Sequence, residues 1–545
     1  MRTNLSHRLS QLSLLQLALS AGILALIALL LNLGRVAFIG DEAIRALVAL
    51  EMKHSGDYLV PTLNGIAYYN KPPLYNWILV AVSSAWGHFG EWPSRVTTVF
   101  FLVLYAITVY FFSQKHFSKT TSFLLALMLI TSGRILFWDS MLGLIDICFS
   151  WIIFLQWMLL YQYGSRNQWT KAFIWSYALL ALAFLLKGLP AVVFQLFSVL
   201  ATLIFFKSLR KELFSFRHML GFITDLIVLS AYYIPYASEV AIDRVLAVLL
   251  DQSMQRTATH HGIVSTVIHL FTFPFEQLYH FLPWSLLGLV FFHPAARKWI
   301  RENEFVRFNI WMLLANIPVY WISVEVYPRY LLMFIPAFNI VGVYVFEKIK
   351  SGSSVFCRVS HIGLGVLCIA FCLIILLMPL DERARQALWF WPAWLLSLCL
   401  LFLTAAGYLK DHPRMLIWLA IALLIVRIMF DIVVLPDRQI TFRENKCKTD
   451  CIRIAKVYGQ FPGYVYGDTE IHQVARFYTA KYTDGIVLKT DTVREMNALY
   501  FVDRQRYPEF NGFTIDSLLL ETNEYIPLMK PAVRDTSSYQ LHETE

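Results

Sequence analysis

Residues 40–77 read GDEAIRALVALEMKHSGDYLVPTLNGIAYYNKPPLYNW. From Asp41 to Ser55 the pattern is helical. Ala43, Leu47 and Leu50, with Ile44 and Val48, fall on one side, while Arg45, Glu51 and Lys53 face elsewhere. A helix of this kind is expected to lie along a membrane surface. Gly56 is placed to end it, because glycine readily takes the left-handed conformation that closes a helix. Pro72 and Pro73 interrupt the chain, and a second half-buried stretch runs from Leu74 to about Phe89.

On either side of this stretch the chain is apolar. Residues 12–33 form a run preceded by Arg2 and Arg8, too long for a signal-peptide core and without a small-residue cleavage site. They read as a retained span with the N-terminus inside. Further runs lie near 93–112, 120–138, 141–163, 172–186, 189–206, 218–235, 281–295, 306–323, 330–347, 361–380, 388–408 and 414–435. The expectation is a mainly α, polytopic membrane protein of about thirteen transmembrane helices, each of roughly twenty residues.

Composition agrees. Of 545 residues, 58% are hydrophobic and only 15% charged, too few charges to cover a soluble protein of this size. The net charge of +9 comes from Lys and Arg scattered through short loops, with no basic arm or nucleic-acid motif. Alternate loops carry Lys115 and Lys119, Arg166 and Lys171, Lys207 to Arg217, Arg297 to Arg307, Lys348 to Arg358, and Lys410 with Arg414. By the positive-inside rule these loops are cytoplasmic. Residues 35–92 and 236–280 are then long exterior loops, and 437–545 also lie outside. The expected organisation is a transmembrane domain over 1–436 and a small exterior α/β domain over 437–545, in a multi-pass inner (plasma) membrane protein with a periplasmic or comparable C-terminal part. Short strand-like runs at 464–466, 485–488 and 499–502, with a helical stretch near 471–478, carry the α/β reading.

Five cysteines lie in or beside apolar runs and read as small core residues. Cys447 and Cys451 form C-x3-C without the two further ligands that a structural zinc site needs, leaving a local disulfide or two free thiols.

Ionisable residues gather at the exterior ends of the expected spans: Asp41 and Glu42, Lys71, Arg95, Asp139, Lys187, and Glu325 with Arg329. Arg256, His260 and His261 fall in the second long loop. Charge at membrane depth is expensive and marks function by default. Each also has a plainer reading. Asp41 suits an N-cap. Lys71 and Lys187 can reach headgroups. Asp139 can pair with Arg134, and Asp146, on the same helical face, can share that network. Glu325 and Arg329, four apart, can pair with each other. Convergence on one face favours the functional reading: carboxylates beside several cations suit a lipid-linked phosphate and a group to be deprotonated.

Residues 40–77 resemble the first exterior loop of the GT-C membrane glycosyltransferases, closest to the lipid A aminoarabinose transferase type, related to protein O-mannosyltransferases. The shared features are D-E, the E-M helix, S-G-D, L-N-G and K-P-P-L-Y. Three weaker matches follow in family order: W-P-S-R-V-T, where Ser94 precedes Arg95 instead of following it, L-L-K-G-L-P, and V-Y-P-R-Y-L-L; Q-S-M-Q-R followed by F-L-P-W also fits the second long loop. Together they span roughly residues 10 to 345. The resemblance implies transfer of a sugar from a polyprenyl-phosphate donor to an envelope glycolipid, glycan or protein on the exterior face. It assigns Asp41 as the catalytic carboxylate, Asp139 as the second acidic position, and Lys71, Lys187 and Arg329 as donor-phosphate residues. Arg256 stands behind them, with Glu42, Arg95, Asp146, His261 and Glu325 as secondary candidates. Ser140 stands where the subgroup often has Pro, so either Asp139 or Asp146 fills the acidic role.

The chemistry fits these residue types. A departing phosphate gains charge that fixed cations stabilise, and a hydroxyl acceptor needs a base such as Asp41, giving inversion at the anomeric carbon. No cofactor is demanded. Glu42 with a second carboxylate could hold a divalent cation, but G-D-E is not itself a metal signature. Two other classes compete. A transporter or flippase should place charge near the bilayer midplane and often shows internal repeats; no repeat is visible. A protein O-glycosyltransferase shares all of the features above.

Overall fold

The computed structural model describes residues 12–254, 262–350, 355–483 and 485–532. The chain divides into two compact units. One comprises Met1–Arg35, Tyr69–Tyr75 and Ser94–Asp437; the other comprises Val36–Tyr68, Asn76–Pro93 and Arg438–Glu545.

The first unit is helical. Among the described residues seven helices are long and apolar enough to cross a membrane, or eight if one bent pair counts as a span. The expected count of about thirteen is not reached by that measure. Several expected spans are present but short: Leu14–Leu30, Leu189–Phe205 and Phe334–Lys350. The run at 281–295 forms a 3-10 helix, Trp284–Phe292, and the run at 306–323 splits into Glu304–Asn316 and Pro318–Trp321. The run at 120–138 is broken, with Lys119–Ile130 and Gly133–Met141 meeting at 48°. The long loop 236–280 contains helices Ile242–Met254 and Ile263–His280. Hydropathy windows count residues, not hydrogen-bond ladders, so they cannot see where a run changes helix type or bends.

The second unit is mixed α and β. The helix Asp41–Ser55 forms as read, and Gly56 closes it at φ 72° with its N–H bonded to the Met52 carbonyl. The helix does not keep an open polar face. Arg45 and Glu51 are buried along with the apolar residues, and the helix packs on Gln473–Thr483. Ala43, Ala46, Leu47 and Leu50 share a core with Cys447, Cys451, Phe477 and Tyr478. The membrane-surface expectation is thus corrected: the apolar stripe meets protein, and its polar residues find partners. Arg45 Nη2 donates to Tyr68 at 2.6 Å.

After that helix come two short antiparallel strands, β1 (Thr62–Leu63) and β2 (Ile66–Ala67). The five others are β3 (Gly463–Tyr466), β4 (Leu488–Thr490), β5 (Leu499–Phe501), β6 (Gly512–Leu519) and β7 (Tyr525–Pro531). They form one sheet in the order β4-β3-β5-β7-β6. β3 runs parallel to β4 and β5, while β7 is antiparallel to β5 and β6. Helix Arg443–Tyr458 also belongs to this unit. Segments of the 35–92 loop therefore fold with the C-terminal residues, across the boundary expected at 436. Backbone N–H groups donating to side chains join them: Ala37 N–H to Asn445 Oδ1 and Phe38 N–H to Tyr478 Oη, each 2.9 Å. Cys447 and Cys451 are buried free thiols, and hydrogen bonding with Cys451, then burial, then the charge of nearby Glu521 push the Cys447 thiol far above its usual range.

Candidate active site

The charged cluster of the helical unit follows from a hairpin. Helices Asp146–Gly164 and Trp169–Lys187 have 19 residues each and are joined by a short turn. Antiparallel helices of equal length bring the start of the first to the end of the second. Asp146 in a first turn and Lys187 in a last turn each match the local helix dipole. They meet at 2.6 Å between Lys187 Nζ and Asp146 Oδ1, each side chain 6% exposed. Gly188, at φ 76°, ends the second helix with its N–H on the Phe184 carbonyl.

Arg329 reaches the same carboxylate from a distant segment. It lies in the 3-10 turn Pro328–Leu331, with Nε 3.5 Å from Asp146 Oδ2. Aromatic faces flank both cations. Lys187 Nζ lies 4.0 Å from the Tyr330 ring centre and 5.1 Å from that of Phe149. The Arg329 guanidinium lies 4.5 Å from the Tyr327 ring centre. One carboxylate thus contacts two cations beside aromatic rings. Cations in such a surround can serve an anion, because charges there are weakly screened.

Asp139 begins the 3-10 turn that follows the bent helix, and its side chain is buried. Both of its oxygens accept from Arg134 Nε at 3.2 Å. It lies within electrostatic range of Asp146 and Arg329. The network expected between Arg134 and Asp139 is present, but Asp146 turns to Lys187 and Arg329 instead of joining it.

Other candidates sit elsewhere. Lys71, half-buried, donates to the Asn70 carbonyl at 3.0 Å. Arg95 is buried and donates to the Leu33 carbonyl at 2.9 Å, securing the chain after the first apolar run. Glu325 is exposed on a bend. In the mixed unit, Asp41 is the exposed first residue of its helix, and Gly40 is the N-cap. The carboxylate that closes that turn is Glu42, buried, whose Oε2 accepts from the Ile39 N–H at 3.0 Å. Asp41 is therefore not the cap. Arg256, His260 and His261 lie outside the described residues. Among the described residues no three His, Cys, Asp or Glu side chains gather to hold a metal ion.

Sequence reading missed the aromatic partners Phe149, Tyr327 and Tyr330. It also missed a fully buried pair in the last apolar run, Arg427 Nε to Asp431 Oδ1 at 2.7 Å. An Arg and an Asp four residues apart inside a span was the available signal. The helical unit also has an apolar cavity of about 570 Å³, lined among others by Phe273, Phe281, Trp284, Trp321, Phe334 and Phe338.

Residues 70–234 match the family described as dolichyl-phosphate-mannose-protein mannosyltransferase. An uncharacterised protein of Aquifex aeolicus is 26% identical over 335 residues, 60% of this chain; the chain spans 64% of that relative's length. The crystal structure of ArnT from Cupriavidus metallidurans bound to undecaprenyl phosphate superposes with a TM-score of 0.69 at 17% identity, covering 93% of this chain and 97% of that one. The apo state of the same protein gives 0.64 at 16%, with the same coverage. Its apolar helices mark a multi-pass membrane protein, and its fold is the one seen in ArnT.

Proposed function

We propose that the protein transfers a sugar from a polyprenyl-phosphate donor to a cell-envelope acceptor on the exterior face, with inversion at the anomeric carbon. The observation that carries this reading is the Asp146–Lys187–Arg329 cluster: two cations held by one carboxylate, in an apolar surround. In the reaction the bond between the anomeric carbon and the donor phosphate breaks. A bond from that carbon to the acceptor oxygen forms. The departing phosphate takes up negative charge, which Lys187 and Arg329 stabilise, with Lys71 assisting. Asp146 keeps the two cations in place before phosphate arrives, so little reorganisation is needed during the reaction. Asp41 is the base that receives the acceptor proton, and Asp139 is the second acidic group. The apolar cavity suits the isoprenoid chain of such a donor.

The acceptor is an envelope glycolipid such as lipid A in the first reading. A protein hydroxyl is the second reading, supported by the match of residues 70–234 to a protein mannosyltransferase family. The test is sugar transfer by the purified protein from radiolabelled polyprenyl-phosphate sugars into an envelope lipid extract and into protein. Wild type is compared with Asp41→Ala and Lys71→Ala, both checked for folding. Label reaching an acceptor, and lost in both variants, supports the reading and identifies the acceptor. Movement of intact labelled lipid across proteoliposomes without donor consumption overturns it.

A further inference from the structure

Arg427 and Asp431 lie in the helix Met415–Thr441, and neither side chain has any exposure. Burying two full charges in a membrane helix brings a desolvation penalty that their attraction offsets only with good geometry. Here the geometry is incomplete: Arg427 Nη2 and Asp431 Oδ2 have no hydrogen-bond partner among the described residues. Stability alone is a poor reason for such a pair, since an apolar pair of similar size would fill the space without that penalty.

What the pair does contact is the turn that carries Asp139. Arg427 Nη1 donates to Ser140 Oγ at 3.3 Å. The Ser140 hydroxyl has its own proton committed, donating to the Leu136 carbonyl at 3.3 Å, so its lone pairs face the arginine. Leu136 lies in the short helix Gly133–Phe137, which also supplies Arg134, the partner of Asp139. A second contact runs alongside: the Phe430 and Phe137 rings meet edge to face, 5.6 Å between centres. Behind the pair, Asn32 Nδ2 donates to the Asp431 carbonyl at 2.8 Å, tying in the end of the first apolar run. Arg427 and Phe430 therefore bear on both sides of Trp138 and Asp139, where a 3-10 turn has little hydrogen bonding of its own.

We infer that the Arg427–Asp431 pair is a positioning device that, through Ser140, fixes the turn bearing Asp139. Neither residue touches substrate. The inference rests on the proposed transferase reading for its effect on rate, but not for its effect on the turn. Arg427 must be held by Asp431 to direct Nη1 at Ser140. Ser140 must accept for Asp139 and Arg134 to keep their mutual geometry. A displacement of a catalytic group by even a fraction of an ångström lowers the rate of the chemical step more than binding.

The experiment uses the full chain in lipid nanodiscs, with Ser140→Ala, Arg427→Met, Arg427→Lys and the Ser140→Ala/Arg427→Met double variant. In Ser140→Ala the ion pair itself is kept, so folding is preserved. The expected result is a fall in kcat of about tenfold with donor KM within about twofold. The double variant should be no slower than Arg427→Met alone, because both changes break one linkage. Arg427→Lys should recover part of the rate. Hydrogen–deuterium exchange of residues 136–142 should rise in Ser140→Ala and Arg427→Met. Wild-type kcat in a folded Ser140→Ala, or losses that multiply in the double variant, overturns the inference. If the wild type transfers no sugar, the functional reading fails on its own account. Exchange at 136–142 then decides this one: unchanged protection in both variants overturns it.

Discussion

Asp146 in the helical unit and Glu51 in the mixed unit are both buried carboxylates, and their partners differ in kind. Asp146 is held by the side chains of Lys187 and Arg329, which lie 41 and 183 positions away in the sequence. Glu51 accepts from the Asn64 N–H at 2.6 Å, the Gly65 N–H at 3.1 Å and the Thr62 hydroxyl at 2.8 Å, all in the adjoining hairpin. Backbone amides are fixed donors with no other task, so Glu51 serves to lock β1 and β2 onto the helix Asp41–Ser55. Lysine and arginine can exchange one anion for another, so under the proposed function Asp146 holds a place that a phosphate shares. Burial of a carboxylate thus does not by itself mark a site; the nature of its partners does.

The contrast is open to direct attack. The largest effect is expected from Lys187→Met and Arg329→Met, each lowering sugar transfer by about a hundredfold or more, as for loss of an electrostatic donor in a dry site. Steady-state kinetics with a purified donor measure it. Near-normal rates in folded variants would make the cluster a structural one and erase its difference from Glu51.

Glu51→Ala should show the opposite balance. It strands two backbone N–H groups and a hydroxyl, costing about 1–3 kcal/mol of stability, read as a lowered thermal midpoint. Transfer per folded molecule should change far less than in Lys187→Met. A midpoint equal to wild type would break the assignment of Glu51 as the hairpin's lock.

The pH dependence sharpens the same point. Burial holds the Glu51 carboxyl above its ordinary value of 4.5, outweighing the three hydrogen bonds and the charge of Arg476. The folded protein then binds this proton more tightly than the unfolded chain. Its contribution is therefore complete below pH 4.5 and declines as pH rises through the folded value. Glu51→Gln should flatten stability across that window, measured by denaturant unfolding at a series of pH values. A steeper slope in the variant would reverse the sign.

The smallest effect is expected at a solvent-facing pair. Arg453 bonds Asp516 at 2.6 Å, and hydrogen bonding to that guanidinium holds the Asp516 carboxyl below its usual range. Exposed pairs of this kind contribute about 0–1 kcal/mol. Arg453→Ala should lower the thermal midpoint only slightly, and less at high salt than at low. A loss as large as that of Glu51→Ala would mean that Arg453 braces β6 and is more than a surface partner.

Much of this was legible in the chain. The bounds of helix Asp41–Ser55 and its glycine stop follow from spacing, because local hydrogen bonding and sterics set them. The runs at 93–112, 172–186 and 189–206 became helices close to where they were read. The same reading placed that first helix on a membrane, because an apolar stripe looks alike whether it faces lipid or a neighbouring helix. It singled out Asp146, Lys187 and Arg329 one by one without pairing them. Helix Arg443–Tyr458 and the β6–β7 hairpin escaped it, since short amphipathic elements in a polar region carry weak periodicity.

Membrane character, the helix-rich class and most residues of the charged cluster can be read from residue order alone, since hydrophobicity, helix stops and residue chemistry are local. Folding across long separations was needed to show that residues 36–68 join the C-terminal sheet, that Glu42 and not Asp41 closes the first turn of its helix, and that Asp146 rather than Asp139 gathers the two cations. Those outcomes depend on which buried polar groups find partners across tens to hundreds of residues. A polar group's identity announces that it needs a partner, and packing alone chooses which one it gets.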